Sequence, residues 1–350
     1  MLSLKACFSF HFRLDGCKDK KVILRFHIKE RGLVKGGQED ISVVYANHNF
    51  PVYSYDGTNW KRTENKSLHD DPATEHVKII VLEQTFLENR VWIAYQYPYS
   101  NNHLDNYVRK IQSSPFCEIE VAGRSTEGRE IRQIAITDPD VPLKEKKVIW
   151  LIGLQHPAEY GAGWGLEGMM DFLLSNHRMV RETRERYVFK FIPIVNVDSV
   201  ADGRGILHSS GRNLNREWER PDPVPEISSI KKKTLDKWRA KGNSIDIFID
   251  FHGFSSKDGK WHLVLLPEES YKNNKRVEYR RLIEVIKKYI PSATSGPNPS
   301  VGYAAGAGCR LYGALSMSID GHIHEWQKEE KTPDLSTHYT AGKKSIRLRV

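Results

Sequence analysis

The sequence predicts an α/β protein: a mixed, mostly parallel sheet between helices, preceded by an antiparallel β-sandwich. Three observations point there. The first hundred residues hold short β-branched and aromatic runs separated by polar, glycine-bearing turns, the habit of antiparallel strands. From Leu104 onward, apolar runs alternate with stretches of helical periodicity. The later runs are apolar at nearly every position, as in VIWLIGL (148–154), which suits strands buried on both faces. A chain of 350 residues has room for two domains, and the change of rhythm divides it into 1–103 and 104–350.

In the leader, strands are expected at 23–27, 41–45, 77–82 and 91–95, with turns at 35–40 and 55–59. The leader closes on YQYPYS (95–100), and 101–103 is expected to be the boundary. The second part opens with a short helix at 106–113 and a strand at 117–121. A turn bearing Gly123 and Gly128 follows, then strands at 131–136 and 148–154. Leu166, Met169, Met170, Leu173 and Leu174 mark a helix over 163–184. Buried strands are expected at 187–195 and 245–251, with an exposed helix at 225–241 between them. Tyr279, Leu282, Ile283, Ile286 and Ile290 mark a further helix that stops at Pro291. A late strand at 311–319 and a terminal helix at 337–347 complete the chain.

Charge and cysteines narrow the class. Lys+Arg 53 against Asp+Glu 44 leaves +9, which favours acidic partners. No apolar run approaches the ~18 residues that span a bilayer. The N-terminal MLSLKACFSFHFRLDG is interrupted by Lys5, His11 and Arg13, and its alternation suits a strand better than an export signal. Cys7, Cys17, Cys117 and Cys309 are scattered with no CxxC pair, as reduced thiols of a cytoplasmic protein are. The basic runs at 231–233 and 276–281 fall on expected helices without any nucleic-acid-binding spacing, so no nucleic acid partner and no membrane is expected.

The chemistry-bearing residues sit at strand ends. Gln155-His156-Pro157-Ala158-Glu159 follows the VIWLIGL strand, where open α/β folds build their sites. An imidazole and a carboxylate three residues apart suit Zn²⁺, whose catalytic sites take a third protein ligand. His252 ends the 245–251 strand and supplies that third group, with Asp250 on the same side to orient its imidazole. Asn215-Arg216, within GRNLNREW (211–218), sets an amide beside a guanidinium and suits a substrate carboxylate.

HPAE, NVDS (196–199), GRNLNREW and IDFHG (249–253), in that order, resemble the zinc metallocarboxypeptidases. The all-β leader ending in YQYPYS is similar to that of the cytosolic, Nna-like branch, and Gly123–Arg129 resembles its early GxSxxGR strand–turn. The resemblance implies a zinc-carboxypeptidase-like α/β/α sandwich behind the leader, and one Zn²⁺ per chain on His156, Glu159 and His252. It also implies that Asn215 and Arg216 bind the C-terminal carboxylate of a peptide or protein, an acidic one by the branch's habit. The family's general base lies in an S-x-T-x-E pattern. Here the stretch is Ser316-Met317-Ser318-Ile319-Asp320, so Asp320 stands where glutamate is expected, with Glu325 as the alternative base. The arginine that precedes the family's GxDLNR falls near Ile206, and Arg204 is the substitute candidate for steadying the oxyanion. The usual NPDG reads NVDS here. Arg310 is a candidate reader of an acidic side chain. The expected activity is metal-assisted hydrolysis of C-terminal peptide bonds. Its alternatives are a carboxypeptidase-like protein that binds peptides without cutting them, and a zinc-dependent deacylase of N-acyl amino acids.

Overall fold

A computed structural model describes residues 10–29, 51–64, 66–70, 72–73, 77–253, 262–289, 294–295 and 302–320. Two antiparallel sheets come first. One holds β1 (His11–Asp15), β7 (Arg90–Ala94), β3 (Val52–Ser54) and β4 (Lys61–Arg62) in the order β1-β7-β3-β4. The other holds β2 (Lys21–Lys29), β6 (Val77–Thr85) and β5 (Lys66–Asp70) in the order β2-β6-β5. Alternate residues of each, Ile80 and Leu82 on β6 and Val91 and Ile93 on β7, share one core, and Phe10 stacks on Phe26 with centroids 4.0 Å apart. The strand expected at 41–45 and the turn at 35–40 lie outside the described residues.

Residues 101–103, the expected boundary, are helical. They are the first turn of α1 (Asn101–Ile111), which Ser100 caps by accepting the His103 N–H (3.1 Å). Leu104, Tyr107, Val108 and Ile111 form its buried stripe.

The main sheet has eight strands: β8 (Cys117–Arg124), β9 (Glu130–Ile136), β10 (Lys147–Gly153), β11 (Tyr187–Ile192), β12 (Ile247–His252), β13 (His262–Leu265), β14 (Thr294–Ser295) and β15 (Leu315–Asp320). Their order is β14-β13-β15-β12-β10-β11-β9-β8. The central four, β15, β12, β10 and β11, run parallel, while β9 and β13 join them antiparallel. This is the mixed, mostly parallel sheet that the apolar runs predict.

Helices cover both faces. The helix expected over 163–184 is two, α2 (Tyr160–Leu174) and α3 (Arg178–Arg186), because Ser175 and His177 are extended. A Cβ on Gly153 would stand 2.7 Å from Leu166, so β10 and α2 touch closely on one face. After α4 (Val197–Ala201), the 225–241 helix is built as α5 (Pro225–Ile230), a π turn at Lys231–Leu235 and α6 (Asp236–Ala240). It is not simply exposed: Ile227, Ile230 and Leu235 are buried, and Trp238 meets Trp150 on the other face of the sheet. Further on lies α7 (Asn273–Tyr289). The strand expected from 311 begins at Leu315, because Leu311 and Tyr312 end α8 (Ala304–Tyr312). Glycines weaken the helical signal of α8, yet Gly308 lets it press on Phe248, 2.8 Å from where a Cβ would be. No helix among the described residues is long and apolar enough to cross a membrane, and 337–347 lies outside them.

Candidate active site

The carboxyl ends of three neighbouring parallel strands, β10, β12 and β15, lie together at one end of the sheet, and the site lies there. Leaving β10, the chain turns sharply at Leu154, a buried residue in the left-handed region (φ 47°), and the Asn196 N–H holds the Leu154 carbonyl (3.1 Å). His156 and Glu159 follow on that turn. β12 delivers His252, and Gly253 passes so close to the Glu159 backbone that a Cβ would lie 2.9 Å from its carbonyl oxygen.

These residues bring together one nitrogen of each imidazole and a carboxylate, with ligand atoms within 4.8 Å of one another. Glu159 spans the pair, Oε1 at 2.9 Å from His156 Nδ1 and Oε2 at 2.8 Å from His252 Nδ1. All three side chains are largely buried. Each Nε2 is backed by an oxygen: Asn213 Oδ1 at 3.0 Å from His156, and Asp250 Oδ2 at 2.7 Å from His252. With Nε2–H donating outward, both Nδ1 atoms face the centre, the arrangement in which imidazoles deprotonated there serve as metal ligands. Burial alone would raise the Glu159 pKa, but His156 and His252 overcome it and hold the carboxyl well below its ordinary range. For His252, burial works downward, yet Asp250 and Glu159 carry the pKa well above its ordinary value in the metal-free protein. Two nitrogens and one anionic oxygen form the donor set of a catalytic zinc site, so the residues fit the ion.

The support extends inward. Gln155 Nε2 donates to Asp250 Oδ1 (2.8 Å), and Trp218 Nε1 donates to Gln155 Oε1 (2.6 Å). Asn213 Oδ1 also accepts the Asn215 N–H (2.9 Å), capping the turn Leu214–Arg216. That turn brings Asn215 to the centre, its Nδ2 3.1 Å from His252 Nε2, while its Oδ1 accepts the Ala304 N–H (2.9 Å). Arg216 donates to the Asn215 carbonyl (2.7 Å) and lays its guanidinium on the Tyr303 ring, 3.6 Å from the centroid.

The other sequence candidates divide. The backbone of Asp320 stands in register with His252 at the ends of β15 and β12. Glu325 lies outside the described residues. The loop carrying Arg204 is pinned to the HPAE turn, Ala158 N–H to Gly205 carbonyl (2.8 Å), but the guanidinium pairs with Asp202 (2.9 Å) at an exposed position. Arg310 is held fork to fork by Glu219. The turn Ser125–Arg129 is bound by buried Asp198, which accepts from Ser125 Oγ (2.6 Å), the Glu127 N–H (2.8 Å) and Arg129 Nη1 (2.7 Å). Asn213, Gln155 and Tyr303 are the participants that sequence reasoning missed. Asn213 and Gln155 lay inside motifs already singled out, but their partners are distant in sequence. Tyr303 carried no signal.

Residues 104–339 match the family model described as zinc carboxypeptidase. Cytosolic carboxypeptidase 6 of Mus musculus is 28% identical over 321 residues, 87% of this chain and 57% of that protein. The Homo sapiens protein of that name is 26% identical, with 87% and 61% covered. The chain thus spans about three-fifths of the length of these relatives. Among solved structures, a metallo-carboxypeptidase from Burkholderia cenocepacia superposes with a TM-score of 0.75 at 22% identity, over 99% of this chain and 89% of that one. One from Pseudomonas aeruginosa, in complex with (2-guanidinoethylmercapto)succinic acid, gives 0.71 at 20%, over 99% and 89%.

Proposed function

Because this chain belongs to the zinc carboxypeptidase family, we propose that it hydrolyses C-terminal peptide bonds, with one Zn²⁺ held by His156, Glu159 and His252. The observation that carries the proposal is the Glu159 carboxylate spanning two buried Nδ1 atoms whose rings are each fixed from behind. A bound zinc ion supplies an acidified water and a Lewis acid for the scissile carbonyl. The protein's own work is to position and to move protons. Asn215 and Arg216 hold the terminal carboxylate, Tyr303 keeping the Arg216 guanidinium in place. Asp320 takes the water's proton and returns it to the leaving amine, and Glu325 is the alternative for that role. Aspartate is one methylene shorter than the family's glutamate, so its backbone must stand closer to the reacting atoms, and the register of Asp320 with His252 favours this. Arg204 steadies the oxyanion only if it leaves Asp202.

The +9 charge favours acidic tails as substrates by steering. The division at 103/104 and a cytoplasmic setting belong to the same reading, in line with the start of the family match and the relatives' names.

Metal analysis with a cleavage assay tests it. The expected result is one zinc per chain and release of the last residue from peptides with an acidic body. Asp320→Asn should lower kcat by about 10²–10⁴, and Glu325→Gln should leave it unchanged. The reverse pattern transfers the base to Glu325. Zinc and peptide binding without release of an amino acid would mark a peptide-binding protein. Faster release from N-acyl amino acids than from peptides would mark a deacylase.

A further inference from the structure

Nothing in the hydrolytic scheme uses Glu219. It follows Trp218 in the GRNLNREW stretch, and its side chain is 10% exposed. Arg310 takes both oxygens, Nε on Oε1 at 2.8 Å and Nη2 on Oε2 at 2.6 Å. Oε2 also accepts the Gly302 N–H (2.8 Å). Arg310 folds back over Gly306, one turn earlier in α8, where any Cβ would collide with the guanidinium. The cation therefore lies along a bare turn of helix with its fork on a carboxylate, its side chain still 33% exposed.

This pair lies beside the carboxylate clamp. Gly302 touches both: its N–H is on Glu219, and at φ +97° it leaves no room for a side chain against the Arg216 carbonyl. The next residue, Tyr303, carries the Arg216 guanidinium. Hydrogen bonds from Arg310 hold the Glu219 carboxyl below its ordinary range, and Glu219 raises Arg310 in turn, so both stay charged at neutral pH.

We infer that Glu219 is a specificity-determining residue: it occupies Arg310 as a built-in stand-in for an acidic side chain, so the site does not favour a terminal glutamate or aspartate. An incoming carboxylate finds this cation already neutralised in bidentate fashion and meets the charge of Glu219 beside it. The inference rests on the clamp reading of Asn215 and Arg216.

The test uses the zinc-loaded full chain and two fluorescent peptides of identical body, one ending in Glu and one in Gln. Affinity and release of the terminal residue are both measured. Wild type should bind the Gln peptide at least as well as the Glu peptide. Glu219→Gln, which can still accept from Gly302, should shift the ratio toward Glu on the order of tenfold. Adding Arg310→Gln should cancel the shift. A wild-type preference for Glu that Glu219→Gln leaves unmoved overturns the inference, as does a gain that survives the loss of Arg310. If Glu219→Gln does not fold, Arg310→Gln alone decides. It should push the ratio further against Glu, and an unchanged ratio overturns the inference. Peptides bound but never cut would sink the hydrolase while the affinity ratio still judged Glu219. No binding of either peptide to any variant would sink both.

Discussion

The two imidazoles at the centre are backed unequally. His252 faces the Asp250 carboxylate, whereas His156 faces the neutral amide of Asn213. A charged partner makes the ring a stronger donor, so Asp250→Asn should weaken zinc binding about 10- to 100-fold, read by competition with a chromophoric chelator. His252 also sets the pH dependence. Its raised pKa means the metal-free protein carries a proton there that zinc must displace. Below that pKa, apparent affinity should fall about tenfold per pH unit, with proton release visible by calorimetry in buffers of different ionisation enthalpy. In the metal-free protein the same elevation is a stability term. It is complete below the unfolded value near 6.5 and is lost as pH rises through the elevated folded value. Chelator-treated protein should therefore melt lower as pH is raised through that folded value, with the loss absent after zinc loading. At this scale HPAE, IDFH and the orienting Asp250 were legible, since each sets ligand-type imidazole and carboxylate side chains at the end of an apolar strand run. Asn213 was not, because a neutral amide is not a metal-ligand type and nothing in its motif marks it as the partner of His156.

Between residue and molecule stands the strand–turn Ser125–Arg129, whose five-residue loop is organised by one carboxylate. Asp198, in the first turn of α4, takes a hydroxyl, a backbone N–H and a guanidinium with no exposed surface of its own. Burial would raise its pKa, but Ser125, Arg129 and the Glu127 N–H prevail and lower it. Its contribution is therefore present above the ordinary value of 3.8 and is lost as pH falls through the depressed value. Asp198→Asn should cost about 2–3 kcal/mol at neutral pH, measured by urea denaturation. The gap between wild type and variant should close in acid, and a constant gap would refute the linkage. Element boundaries were less legible than element types. The break between α2 and α3 turns on two extended residues, Ser175 and His177, in an otherwise helical pattern. α8 was hidden because Gly306 and Gly308 serve close packing at the expense of helix propensity.

At the scale of the whole molecule, the fold class followed from chain-long rhythm: short β-branched and aromatic runs in the leader, then continuous apolar strands whose carboxyl ends gather the site. The net charge was equally legible, but its meaning splits into two ranges. Steering by +9, as proposed, would act on the body of an approaching acidic tail and is screened beyond about 8 Å at physiological salt. The Glu219–Arg310 pair, in the role inferred for it, would act at contact, on the last side chain alone. Raising the salt should therefore weaken capture of every peptide with an acidic body, whatever its final residue. The ratio between Glu-terminated and Gln-terminated peptides should change much less, because both share the same body. Measuring kcat/KM for both peptides across a salt series separates the two ranges. A ratio that tracks salt as steeply as the individual values would mean that the last residue is read by the general field of the protein, with Glu219 playing no part.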